Sequence, residues 1–120
     1  LRGIPIESAT GDAVASFADI GYLPRLGRIS APEALALLNK LAIESPSQER
    51  LASKTADALD QLLRPLGVGV VIEMICRTDR SGETPASVIT QKLVGALRDR
   101  EDVRFEFLAL TRRKVPRGRS

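Results

Sequence analysis

Residues 45–74 read SPSQERLASKTADALDQLLRPLGVGVVIEM, and this stretch decides the fold. It reads as a capped helix that stops near a glycine and feeds an apolar strand. Ser45 stands as the N-cap, Pro46 at the first helical position and Gln48 three residues after the cap. In that order a side-chain oxygen, a residue with no N–H to satisfy and a returning side chain meet the needs of a helix start. Ala52, Ala56, Leu59 and Leu63 recur at spacings of four, three and four, which is one face of a helix. Pro65 and Gly67 end it. Val68, Val70, Val71 and Ile72 then give a β-branched run of strand length.

Working upstream, Ser30-Ala31-Pro32-Glu33 is a capping box that opens a helix to about Ile43, with Leu35, Leu38, Leu41 and Ala42 on its buried face. Few residues separate the two helices, so they are expected to be antiparallel neighbours. Residues 13–23, AVASFADIGYL, alternate as a strand with Gly21 as a bulge, and residues 1–8 hold a shorter strand around Ile4 and Ile6. Residues 9–12 form a turn around Gly11. Downstream, the strand from Val68 runs to about Cys76. A polar loop, RTDRSGETP, leads to a second strand beginning at Ala86 and extending to about Leu97. Asp99 is the expected cap of a final helix to about Leu110, with Phe105, Leu108 and Ala109 apolar.

The fold class is therefore α+β, ordered strand, strand, helix, helix, strand, strand, helix. Residues 1–110 form one domain and residues 111–120 a basic, disordered tail. One pair of helices cannot both cover a four-stranded antiparallel sheet and close its edges. The sheet is expected to continue into neighbouring subunits of a homo-oligomer and close as a barrel.

Composition narrows the chemistry. The chain has 120 residues and only four aromatic side chains, so its core rests on Leu, Val, Ile and Ala. It has no histidine and a single cysteine, Cys76. No intrachain disulfide, no cysteine-based zinc site and no Ser-His-Asp triad fits. The net charge is +3, yet the last ten residues, TRRKVPRGRS, contain five cations and no acid, which leaves residues 1–110 at −2. A tail of that kind is usually solvated. It could meet nucleic acid through phosphate charge, but no aromatic or base-reading element accompanies it. No run approaches the roughly 20 apolar residues of a membrane span, and no signal-peptide pattern is visible. A cytoplasmic protein is expected.

The joints between these elements carry a resemblance. Ile4-Pro5 through Ser8, Tyr22-Leu23-Pro24, Gln48-Glu49-Arg50-Leu51, Arg64-Pro65-Leu66-Gly67-Val68-Gly69-Val70-Val71-Ile72-Glu73 and Glu106-Phe107-Leu108 follow in order. Together they resemble the catalytic part of GTP cyclohydrolase I, a member of the tunnelling-fold (T-fold) group. The resemblance implies a T-fold whose ligand site lies at a subunit interface. It also implies that Glu49 anchors a purine- or pterin-like heterocycle by accepting parallel hydrogen bonds from a ring N–H and an exocyclic amine. A first-turn acid also stabilises its own helix. Gln48 is either a capping-box partner or a ligand contact.

The departures from the family are as informative. Where it has Cys-Glu-His-His, with a zinc ligand and catalytic histidines, this chain has Ala9-Thr10-Gly11-Asp12. Where it has His-Xaa-Cys, this chain reads Met74-Ile75-Cys76-Arg77-Thr78. Two phosphate-binding cations of the family correspond to Glu33 and Ala36. Zinc with histidines activates water and shuttles protons, and neither is available. Ordinary GTP cyclohydrolase I activity is therefore expected to be absent, and no metal or other cofactor is expected. The remaining chemical groups are Asp12 as a carboxylate base or turn residue, Cys76 as a nucleophile or small buried hydrophobe, and Arg80 as the surviving phosphate-facing cation or a solvated loop residue. Two functions follow as expectations. One is a zinc-independent enzyme acting on another heterocycle in specialised metabolism. The other is a non-catalytic structural or regulatory subunit that partners other chains.

Overall fold

The computed structural model describes residues 1–6, 13–25, 27–45, 47–76 and 86–111. The expected turn at residues 9–12, the loop at 77–85 and all but Thr111 of the tail lie outside the described residues. The elements are β1 (Ile4–Pro5), β2 (Ala13–Leu23), α1 (Ala31–Glu44), α2 (Gln48–Leu63), β3 (Gly67–Cys76), β4 (Ala86–Gly95), α3 (Ala96–Asp99) and α4 (Glu101–Thr111). The four strands form one antiparallel sheet in the order β1-β2-β3-β4. This is the α+β order expected from the sequence, with a one-turn helix added before the last one.

The period-2 alternation of the strands gives the sheet two different faces. One face carries Ala18, Ile20, Val68, Val70 and Ile72 against Leu38 of α1 and Ala52, Ala56, Leu59 and Leu63 of α2, all buried. The predicted ridge of α2 is thus its buried face, completed by Leu51 and Thr55. Thr55 is 0% exposed, and its hydroxyl donates to the Leu51 carbonyl at 2.8 Å, so its burial leaves no donor unsatisfied. In α1 the fully buried residues are Ala34 and Leu38, while Leu35, Leu41 and Ala42 pack at the margin. On the opposite face Val71, Leu97 and Phe107 form a second, smaller cluster.

Local signals that need no tertiary partner are realised as written. Ser30 and Glu33 form the capping box: the Ser30 N–H donates to Glu33 Oε1 at 2.9 Å and the Glu33 N–H to Ser30 Oγ at 3.3 Å. The bond from the Ser30 backbone, followed by that from its hydroxyl, holds the Glu33 carboxyl below the usual carboxylate range. A depressed folded-state pKa stabilises the fold above the unfolded value, and that contribution disappears as pH falls through the folded value. Ser30→Ala is expected to lower stability by about 1 kcal/mol, read as a shift of the urea midpoint at neutral pH. The deficit should shrink on acidification.

Four expectations are corrected. Ser45 does not start α2: it closes α1, donating its N–H to the Ala42 carbonyl and its hydroxyl to the Leu41 carbonyl at 2.6 Å. The N-cap of α2 is Ser47, whose Oγ accepts from the Arg50 N–H at 3.1 Å. Gln48 is therefore the first residue of the helix and not a capping-box partner. Secondly, the left-handed residue that ends α2 is Arg64, φ 48°, and not a glycine. Gly67 instead opens β3, where a Cβ would stand 2.7 Å from the backbone nitrogens of Ala96 and Leu97. Thirdly, Gly21 lies in regular register opposite Gly69, and the irregularity of β2 falls between Ala13 and Ala15. Fourthly, Asp99 caps nothing: it ends α3, and its carboxylate meets Arg98 at 2.9 Å. In α4 the buried residue is Phe107, whereas Phe105 is 66% exposed and Ala109 is exposed.

Candidate functional site

The helix α2 crosses the β3–β4 hairpin so that its C-terminal end leads directly into the start of β3. Its N-terminal turn therefore lies toward the other end of the hairpin, where β3 stops at Cys76 opposite Ala86. Ser47 fixes where the helix begins. Gln48 and Glu49 occupy its first two positions. Glu49 is exposed and makes no hydrogen bond or ion pair with any described residue. Its carboxylate is acceptor-only with room for two parallel bonds, and the positive end of the helix dipole favours a negative charge there.

Gln48 is half-buried, and its amide nitrogen donates to the carbonyls of Ile72 at 2.9 Å and Val88 at 3.1 Å. Its nitrogen is thus turned to the sheet. This contact is non-local, and no helix-start pattern in the sequence could reveal it.

The other sequence candidates are less fully defined. Cys76 is the last residue of β3, paired with Ala13 on one side and Ala86 on the other. Asp12 and Arg80 lie outside the described residues.

Two arginines that the sequence reading passed over line an open concavity. Arg25 and Arg28, with Pro24 and Gly27, border about 440 Å³ in the connection between β2 and α1. Both are exposed, and among the described residues the ion pairs are elsewhere, Arg98–Asp99 and Arg100–Asp102. Their signal was present, a pair of arginines around a glycine just ahead of the capping box. A second, largely apolar concavity of about 210 Å³ lies between β2 and α4, lined by Gly21, Tyr22, Leu23, Val103, Glu106 and Phe107 among others.

The zinc ion that the family resemblance implies does not fit this chain. Tetrahedral zinc takes cysteine, histidine and carboxylate donors. Here histidine is missing from the whole sequence and cysteine occurs once. Among the described residues no three acidic, cysteine or histidine side chains gather at one place. Likewise, no described helix is long and apolar enough to cross a membrane.

With this geometry in place, comparison with known proteins identifies the lineage. The profile of the family described as GTP cyclohydrolase I matches residues 13–112. GTP cyclohydrolase 1 of Thermoanaerobacter pseudethanolicus is 36% identical over 121 residues, covering 95% of this chain and 64% of the relative. The enzyme of Janthinobacterium sp. is 36% identical over 120 residues, covering 95% and 61%, and that of Thermobifida fusca 40% identical over 98 residues, covering 78% and 47%. The chain spans less than two thirds of the length of these relatives. The match runs from β2 to the end of α4 and takes in both helices and the whole β3–β4 hairpin, so the chain belongs to the GTP cyclohydrolase I family.

Proposed function

We propose that this chain is a zinc-independent relative of GTP cyclohydrolase I that binds a purine- or pterin-like heterocycle through Glu49 and catalyses a reaction other than GTP hydrolysis. The observation that carries the reading is the Glu49 carboxylate, exposed in a capped first turn and engaged by no described residue. In the family the equivalent glutamate anchors the guanine ring. Arg80 is the phosphate-side cation of this reading, Gln48 a further group at the binding turn, and Asp12 and Cys76 the groups able to take part in chemistry. Specialised metabolism is the natural setting for such a departure.

The site lies at a subunit interface in a homo-oligomer whose sheets join edge to edge as a T-fold barrel. One observation supports this: among the described residues β4 is a ten-residue edge strand on which Val88 and Ile89 are 48% and 63% exposed. Long, apolar edge strands are templates for strand addition.

The alternative, a non-catalytic structural or regulatory subunit partnering other chains, is favoured by the same loss of histidines and by the engagement of Glu33 in a helix cap where the family has a phosphate-binding lysine.

Calorimetric titration of chelator-treated protein with guanine nucleotides, free purines and pterins tests the proposal. Wild type is expected to bind at least one of them, and Glu49→Ala to weaken that binding on the order of 100-fold, the effect of losing two charge-assisted hydrogen bonds. Turnover of the best ligand without metal distinguishes the enzyme from the non-catalytic subunit. Absence of binding by wild type across the panel would remove the anchor reading.

A further inference from the structure

A side-chain amide has two hydrogens to donate and one oxygen that accepts. Gln48 Nε2 gives one hydrogen to the Ile72 carbonyl on β3 and the other to the Val88 carbonyl on β4. Carbonyl oxygens accept and never donate, so the amide has only one workable orientation, with nitrogen toward the sheet and Oε1 away from it. Oε1 receives no hydrogen bond from a described residue.

Beyond its Ser47 cap, the rest of this turn buries little. Ser47, Glu49 and Arg50 are exposed, and the buried ridge of α2 begins only at Leu51. Helix ends fray within the first turn unless something fixes them. Ser47 caps this one from within the helix, and the Gln48 amide is what ties it to both strands of the hairpin.

We propose that Gln48 is a positioning residue: its amide latches the first turn of α2 to the β3–β4 hairpin, sets the place of the neighbouring Glu49 carboxylate, and leaves the turn able to accept hydrogen bonds but not to donate them from these two side chains. The ligand half of this proposal rests on the Glu49 reading above. With Gln48 Oε1 an acceptor like Glu49, neither side chain offers a donor against the ring N–H and exocyclic amine that the Glu49 reading already calls for.

Two variants separate the latch from the acceptor. Gln48→Leu has neither. Gln48→Lys brings an ammonium with three donors and no acceptor, so it can hold both carbonyls but places a cation beside Glu49. Amide hydrogen exchange reads the latch without any ligand. Gln48→Leu is expected to raise exchange at Arg50 and Leu51, the first-turn amides that hold hydrogen bonds, and in β4 around Val88 by about tenfold or more while Leu59 and Val70 keep wild-type protection, the pattern of local and not global opening. Gln48→Lys is expected to restore most of that protection. Calorimetry with guanosine and with inosine, which lacks the exocyclic amine, reads the acceptor. Wild type is expected to prefer guanosine by at least tenfold, and Gln48→Lys to lose that binding although its turn is protected.

Unchanged exchange in Gln48→Leu would overturn the latch. Wild-type guanosine affinity in Gln48→Lys would overturn the acceptor role. If wild type binds neither nucleoside nor a pterin, the Glu49 reading and the ligand half fall together, and the exchange result alone decides the latch.

Discussion

Phe107→Ala is expected to lower folding stability by about 3–5 kcal/mol, the range for truncating a buried phenylalanine. In a domain whose whole stability is about 5–15 kcal/mol, that leaves a marginal protein. The ring lies on a seat made by two glycines that face each other across β2 and β3, Gly21 and Gly69. A Cβ at either position would come within 2.5 Å of a ring carbon. Glycine is otherwise a poor strand residue, since it packs nothing and loses the most backbone freedom on folding. Its presence at both members of one cross-strand pair is accounted for by the ring above it. Phe107 is also the buried residue of α4, so its loss frees that helix from the sheet. A double-mutant cycle tests the seat more sharply than the single variant. Gly69→Ala in the wild-type background forces the ring to move and is expected to cost about 1–3 kcal/mol, as overpacking does. In the Phe107→Ala background the new methyl group enters the space the ring has left, and the cost should fall to near zero. Urea titrations of the four proteins in this cycle would show a coupling of about 1 kcal/mol or more. Strict additivity would mean that the ring and the glycines are unrelated.

This seat marks where sequence reading stops. Glycine within a strand signals a bulge or a close approach, and only the tertiary partner decides between them. Gly21 was expected to be a bulge, but its partner, Phe107, arrives from a helix at the other end of the chain. The same limit explains Gln48. Its helix position was legible within one residue, but its bonds reach carbonyls on two later strands, and no local pattern contains them. Ser45 and Ser47 show a different limit. Both are good caps and only two positions apart, and Pro46 after Ser45 matches a helix start as well as it matches the break between two helices. What was legible needed only nearby residues: the Ser30–Glu33 box, the apolar ridge of α2, and the β-branched run of β3. The family was legible through its joints, where turn residues and helix ends meet, and the comparisons identify the same family. Of the candidate site, the turn carrying Glu49 and Gln48 is formed and capped, while Asp12 and Arg80 belong to connections outside the described residues.

Leu59→Ala is expected to lower stability by about 3–5 kcal/mol, whereas Leu62→Ala, three residues further along the same helix, is expected to stay within about 0.5 kcal/mol of wild type. Both remove the same atoms from the same residue type with the same helix propensity. Only the face differs. Leu59 is 0% exposed in the cluster that joins α2 to Ile20, Val70 and Ile72, and Leu62 is 66% exposed. At Leu59 the change removes the transfer contribution of the buried side chain and leaves a cavity among fully buried neighbours that relax only in part. At Leu62 the removed carbons already face water, which takes their place without leaving a cavity. The contrast isolates packing from propensity, which together shape every helix but are seldom measured apart. It also bears on function. α2 carries the Glu49 turn at one end and its buried ridge beyond it, so a loosened ridge lets the helix shift on the sheet. On the Glu49 reading proposed above, Leu59→Ala should therefore weaken guanosine binding as well as stability, while Gln48→Leu should weaken binding with little change in global stability. Thermal unfolding and calorimetry on the two variants distinguish a helix that has lost its seat from a turn that has lost its latch. Equal loss of stability in Leu59→Ala and Leu62→Ala would mean that the ridge does not face the sheet.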